Sequence, residues 1–134
     1  MICVGIDVSK DKHDCCIFSS DGQLLLKPFS VPNNRDGFDS LYSAILSFEN
    51  EPNKVKVGLE ATGHYSFNIL GYLLEKGIHC FVFNPLHTNL YRKSLTLRKT
   101  KTDKVDSKMI AKMLLSEVEH KPYSKALYHK EQLK

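Results

Sequence analysis

Ile2, Val4, Ile6 and Val8 alternate with Cys3, Gly5 and Asp7, a period of two that commits the first segment to a strand with one apolar face. Two further strand-like runs follow, His13 to Ser20 and Gln23 to Val31, separated by Asp21-Gly22. That dipeptide signals a two-residue hairpin turn, whose central positions both need positive φ, which Asp tolerates and Gly favours. The first third should therefore be an antiparallel three-strand meander. The period then changes. Phe38, Leu41, Tyr42, Ile45 and Phe48 recur at helical spacing behind the cap candidates Asn33-Asn34. Val55, Val57 and Leu59 alternate up to Glu60, and Phe67, Leu70, Leu73 and Leu74 line a helix closed by Gly77. The unbroken apolar run from Ile78 to Phe83 marks a strand covered on both faces. Beyond Asn84-Pro85, Leu86, Leu90 and Leu97 suggest another helix, and a last one is expected from about Thr102, carrying Val105, Met109, Ile110, Met113 and Leu114. A helical crossover returns the chain in the same direction. The expected fold is thus α/β, a mixed sheet of three antiparallel strands followed by two parallel ones, flanked by helices.

The 134 residues suit one domain, and 42% hydrophobic with 25% charged residues is ordinary globular usage that excludes disorder as the main state. No apolar run approaches the roughly 20 residues of a membrane span, and the acid at Asp7 interrupts what a signal peptide would keep apolar. Cys3, Cys15, Cys16 and Cys80 contain no Cys-x-x-Cys pair, so buried reduced thiols fit better than zinc or disulfides. A soluble, cytoplasmic protein with no membrane partner is the expectation. The net charge of +4 conceals an asymmetry: residues 1–90 balance at −3 and residues 91–134 at +7. A basic end on an acidic body suits a polyanion met by one face, with a merely solvated helical surface as the bland alternative.

Four acids stand out by position. Asp7 interrupts an apolar strand, and Glu60 ends a strand expected to run parallel to it. Asp103 and Asp106 are expected to open the last helix three residues apart, on one face. Each alone is ordinarily a turn acid, a strand terminus or a helix-start charge. Together, at the carboxyl ends of strands where ligands gather in open α/β sheets, they imply a hard divalent cation such as Mg²⁺. Two such ions serve phosphodiester cleavage. Arg92, Lys93, Arg98, Lys99, Lys101 and Lys104 run directly into the acidic pair, and bases beside metal-binding acids suit a nucleic-acid backbone. Tyr65 and Tyr91 are weaker candidates for base stacking. Other chemistry lacks support: there is no Gly-rich phosphate loop, no metal-spaced histidine pair, and no base partner evident for Ser9, Ser66 or Ser94.

Gly5-Ile6-Asp7-Val8-Ser9-Lys10, Glu60-Ala61-Thr62-Gly63-His64-Tyr65, Asn84-Pro85, Arg92-Lys93-Ser94-Leu95 and Lys101-Thr102-Asp103-Lys104-Val105-Asp106 closely resemble the N-terminal domain of the DEDD transposases of the IS110 insertion-sequence family, which includes pilin-gene invertases. The resemblance covers nearly the whole chain. It implies an RNase H-like fold of the RuvC type and a catalytic, metal-binding tetrad at Asp7, Glu60, Asp103 and Asp106, with Mg²⁺ or Mn²⁺ as substitute. Ser107 stands where the family more often has Ala. The resemblance further implies residues 1–120 as the catalytic domain and 121–134 as the start of a helical linker to a second, serine-bearing domain absent from this chain. DNA is the implied partner, together with a guide non-coding RNA and, for the full-length protein, a homo-oligomer. Recombination by these residues alone should be weak or absent.

Three rivals remain at the level of sequence. A stand-alone RuvC-like Holliday-junction resolvase would be complete at this length. A sugar-kinase or actin-like phosphotransferase would share the opening strand but needs a second lobe. A non-catalytic binding module would use the acids only as surface charge.

Overall fold

The structure, a computed structural model, describes residues 1–60, 63–95, 106–115 and 128. β1 (Ile2–Val8) is buried along both faces and centres a five-stranded sheet of order β3-β2-β1-β4-β5. β2 (Lys12–Ser19) and β3 (Leu24–Pro32) complete the antiparallel meander, and β4 (Val55–Glu60) and β5 (His79–Phe83) add on the other side, both parallel to β1. The expected mixed sheet is therefore present. The β2–β3 connection differs in detail. Gly22 alone has positive φ, 94°, and the Gly22 N–H donates to the Ser19 carbonyl. The loop is thus one residue longer than a two-residue turn, and Asp21 keeps an ordinary backbone.

α1 (Arg35–Leu46) and α2 (Phe67–Glu75) cover one face of the sheet. Asn34 caps α1 by accepting from the Gly37 N–H at 2.8 Å, a bond that replaces one the first helical turn cannot make internally. Phe38, Leu41 and Ile45 then meet Ile6, Ile17 and Leu59 in the main core. Phe48 continues the helical spacing but lies beyond the helix and is exposed. α3 (Pro85–Leu95) starts with Asn84 accepting from the Leu86 N–H and with proline at the first helical position, where a missing donor costs nothing. The expected apolar stripe of α3 is reversed: Leu86 is 71% and Leu90 62% exposed, while Thr88 is fully buried. Leu97 lies outside the described residues.

α4 (Ser107–Leu115) covers the opposite face of the sheet, where Ile110, Met113 and Leu114 pack with Cys3, Phe81 and Phe83. Both sides of β1 are consequently dry, which explains why the segment expected to have one apolar face is buried on two. Tyr128, in the segment expected to begin a linker, stacks on Phe67 of α2 with ring centroids 4.3 Å apart.

All four cysteines are buried, unbridged thiols. Burial pushes their pKa values up, that of Cys80 to about 12, and the neighbouring Asp14 adds to the effect at Cys15. Thiolate is the reactive form. Folded protein should therefore resist iodoacetamide at neutral pH, with four thiols alkylated only in denaturant; rapid labelling of the folded chain would contradict this packing.

His13 is also fully buried. Its Nδ1 accepts from the Ser9 N–H at 3.3 Å, so the neutral ring carries its proton on Nε2. Among the described residues neither Nε2 nor the buried Asn33 Oδ1 meets a partner in full hydrogen-bond geometry. Burial lowers the His13 pKa below 6.5, outweighing opposing pulls from Asn33, the Lys12 backbone and Asp14. The unfolded chain then binds the proton first as pH falls. The stability from burying neutral His13 is complete above pH 6.5 and is lost as pH drops through its folded pKa. The urea midpoint should decline between pH 7.5 and 5.5, and His13→Leu should flatten that decline. An equal slope in wild type and variant would refute the assignment.

Candidate functional site

The parallel β1–β4 ladder pairs Gly5 with Gly58 and Ile6 with Leu59. Asp7 and Glu60 are the next residues along each strand, level with one another, and neighbouring strands lie about 4.8 Å apart. Each follows its glycine by two positions and so shares the face that carries α4. Paired glycines let α4 approach this closely. A methyl carbon at Gly5 would sit 2.0 Å from the Ser107 carbonyl oxygen and 2.6 Å from the Ala111 nitrogen.

Asp106 directly precedes α4, and its Oδ1 accepts from the Met109 N–H at 2.9 Å. It stands before the helix as a cap rather than within its first turn, where it was expected. The preference is physical: a carboxylate three residues ahead of an orphan N–H satisfies it and meets the positive end of the helix. Asp103 lies outside the described residues. With Ser107 over Gly5, Asp106 is carried to the end of the sheet where Asp7 and Glu60 emerge.

Two polar residues beside these acids escaped the sequence reading. Asp14 is directly opposite Asp7 across the β1–β2 ladder and accepts from the Ser30 hydroxyl. Asp14, Asp7 and Glu60 therefore form a row of carboxylates across β2, β1 and β4. Like charges facing one another across strands are unfavourable. Cross-strand register was the signal that reveals Asp14, and register is not visible before strands are paired. The second is Thr88, whose hydroxyl donates to Glu60 Oε2 and also lies 2.9 Å from the Pro85 carbonyl.

Among the described residues no three His, Cys, Asp or Glu side chains converge closely enough to hold a metal by themselves. The donor chemistry nevertheless fits: carboxylate oxygens at one sheet end suit a hard divalent cation. Of the six basic candidates, Lys93 is on α3 and exposed, and Arg92 is on the same helix. Arg98, Lys99, Lys101 and Lys104 lie outside the described residues. Tyr91 packs beside the Phe81–Phe83 cluster and its hydroxyl donates to the Lys112 carbonyl at 3.4 Å, a structural use that leaves little for base stacking. Tyr65 is partly exposed, with its ring 4.5 Å from that of His64.

The family model for the DEDD transposases of the IS110 type, described as "Transposase", matches residues 4–134. This chain belongs to that family. Pilin gene-inverting proteins of Moraxella lacunata and Moraxella bovis are each 29% identical over 109 residues, covering 81% of this chain and 33% of theirs. The chain thus spans about a third of the length of the curated relatives it matches. The structure of Thermus thermophilus RuvC superposes with a TM-score of 0.58 at 14% identity, covering 92% of this chain and all of that one. RuvC of the same organism in complex with a Holliday junction substrate superposes at 0.52, with 15% identity and 92% of this chain covered. These likenesses establish the RNase H-like, RuvC-type fold. No described helix is long and apolar enough to cross a membrane.

Proposed function

We propose that the chain is the N-terminal catalytic domain of a transposase, binding DNA and divalent metal for strand cleavage and transfer of an insertion sequence. The reading rests chiefly on the parallel β1–β4 register, which sets Asp7 and Glu60 level on the face where Asp106 caps α4. In this reading Asp7, Glu60 and Asp106, completed by Asp103, hold Mg²⁺, or Mn²⁺ in its place. The chemistry a bound metal pair supplies is activation of the attacking oxygen and stabilisation of the leaving one at a phosphodiester. The protein's own part is to present oxygen ligands from a rigid sheet end. Arg92, Lys93, Arg98, Lys99, Lys101 and Lys104 then bind backbone phosphates, of DNA and of a guide RNA. Strand exchange belongs to a full-length homo-oligomer with a second domain.

Phosphate binding through these six charges makes affinity salt-dependent. If all six engage duplex DNA, the slope of log K against log salt is on the order of −5. Binding measured by fluorescence anisotropy from 50 to 300 mM KCl should approach that slope, and binding indifferent to salt would exclude this use of the basic stretch. Incubation with junction DNA and Mg²⁺ separates the main alternative. A domain of a larger transposase should bind the junction and resolve it poorly, whereas efficient paired nicking would make the chain a stand-alone RuvC-like resolvase.

A further inference from the structure

We infer that Thr88 is the positioning residue for Glu60, fixing Oε2 through its hydroxyl so that Oε1 is the oxygen offered to a cation; this rests on the reading of Glu60 as a metal ligand. Three observations converge. Thr88 is fully buried, although threonine has little apolar surface to gain by it. The helix that carries it turns Leu86 and Leu90 to solvent, the reverse of what apolar burial alone would select. The buried hydroxyl has two acceptors, the Pro85 carbonyl within its own helix and the Glu60 carboxylate on β4. A hydroxyl has one proton. The bond to an ionised carboxylate is charge-assisted and the stronger of the two, so the proton goes to Glu60. The carbonyl contact is the ordinary backbone-directed use of a helical threonine. It does not explain why this face of α3 points inward.

Groups that orient a metal-binding carboxylate typically change metal affinity 10–100-fold when removed. Thr88→Val keeps the branched shape without the hydroxyl, and Thr88→Ser keeps the hydroxyl. Mn²⁺ titration of the whole chain by calorimetry, with metal-free melting curves for each variant, distinguishes the outcomes. We expect Thr88→Val to bind Mn²⁺ about 10–100-fold more weakly and Thr88→Ser to stay within about threefold of wild type. Equal weakening in both variants would assign Thr88 a packing role alone and overturn the inference. So would unchanged affinity in Thr88→Val while wild type binds. A wild-type chain that binds no Mn²⁺ would instead remove the metal reading of Glu60 itself, and this inference with it. Should Thr88→Val fail to fold, Thr88→Ala is read in the same way against Thr88→Ser.

Discussion

Asp7→Asn is expected to reduce Mn²⁺ affinity and metal-dependent DNA cleavage by more than about 100-fold, since losing an orienting partner alone costs 10–100-fold and a ligand should cost more. Without metal, the same variant is relieved of like-charge repulsion. Asp7 faces Asp14 across the ladder and lies level with Glu60, and relieving like-charge pairs across strands contributes roughly 0.2–1 kcal/mol. A loss of Mn²⁺ affinity far larger than any change in the metal-free urea midpoint distinguishes a ligand from a structural acid. A variant that unfolds more easily in EDTA, yet binds Mn²⁺ as wild type does, would show Asp7 to be architectural.

Gly5→Ala should be strongly damaging to both fold and site. The added carbon meets two backbone atoms of α4, the Ser107 oxygen at 2.0 Å and the Ala111 nitrogen at 2.6 Å, and backbone cannot rotate aside. Overpacking of this kind costs about 1–3 kcal/mol or more. Because α4 must lift, Asp106 should move with it, so Mn²⁺ affinity should fall together with the urea midpoint. Gly58→Ala provides the comparison. Its methyl would touch side-chain atoms of Phe83 and Leu114 at 2.9 and 3.0 Å, which can turn away, and its cost should be clearly smaller. Equal midpoints for the two variants would contradict the backbone contact at Gly5.

Much of the fold was legible because strand and helix periods differ. Ile2 to Val8 and Val55 to Glu60 alternate, and Phe38, Leu41 and Ile45 do not, so element type and sheet direction followed from pattern and connection length. The Asp21-Gly22 turn was misjudged by one residue because Ser20 joins the loop, leaving Gly22 as its one residue at positive φ. Leu86 and Leu90 marked α3 as a helix but not its buried face, which carries Thr88 instead. At the candidate site, Asp7 and Glu60 were readable from strand position. Asp106 was readable as a residue but not as a cap, and Asp14 and Thr88 required pairings between distant segments.

The placement of β4 has a consequence for how the protein is made. A nascent chain that has emerged only through Pro32 already holds the whole β3-β2-β1 meander, but the outer side of β1 is then bare, with the backbone groups that will later bind β4 open to water. Such an edge invites pairing with other chains. Asp7 sits on that same edge strand, and its charge opposes intermolecular stacking of identical copies. Glu60 arrives only when β4 fills the gap, and α4 only after about fifty further residues have followed. Synthesis order thus brings Glu60 and Asp106 toward Asp7 only as the vulnerable seam is sealed.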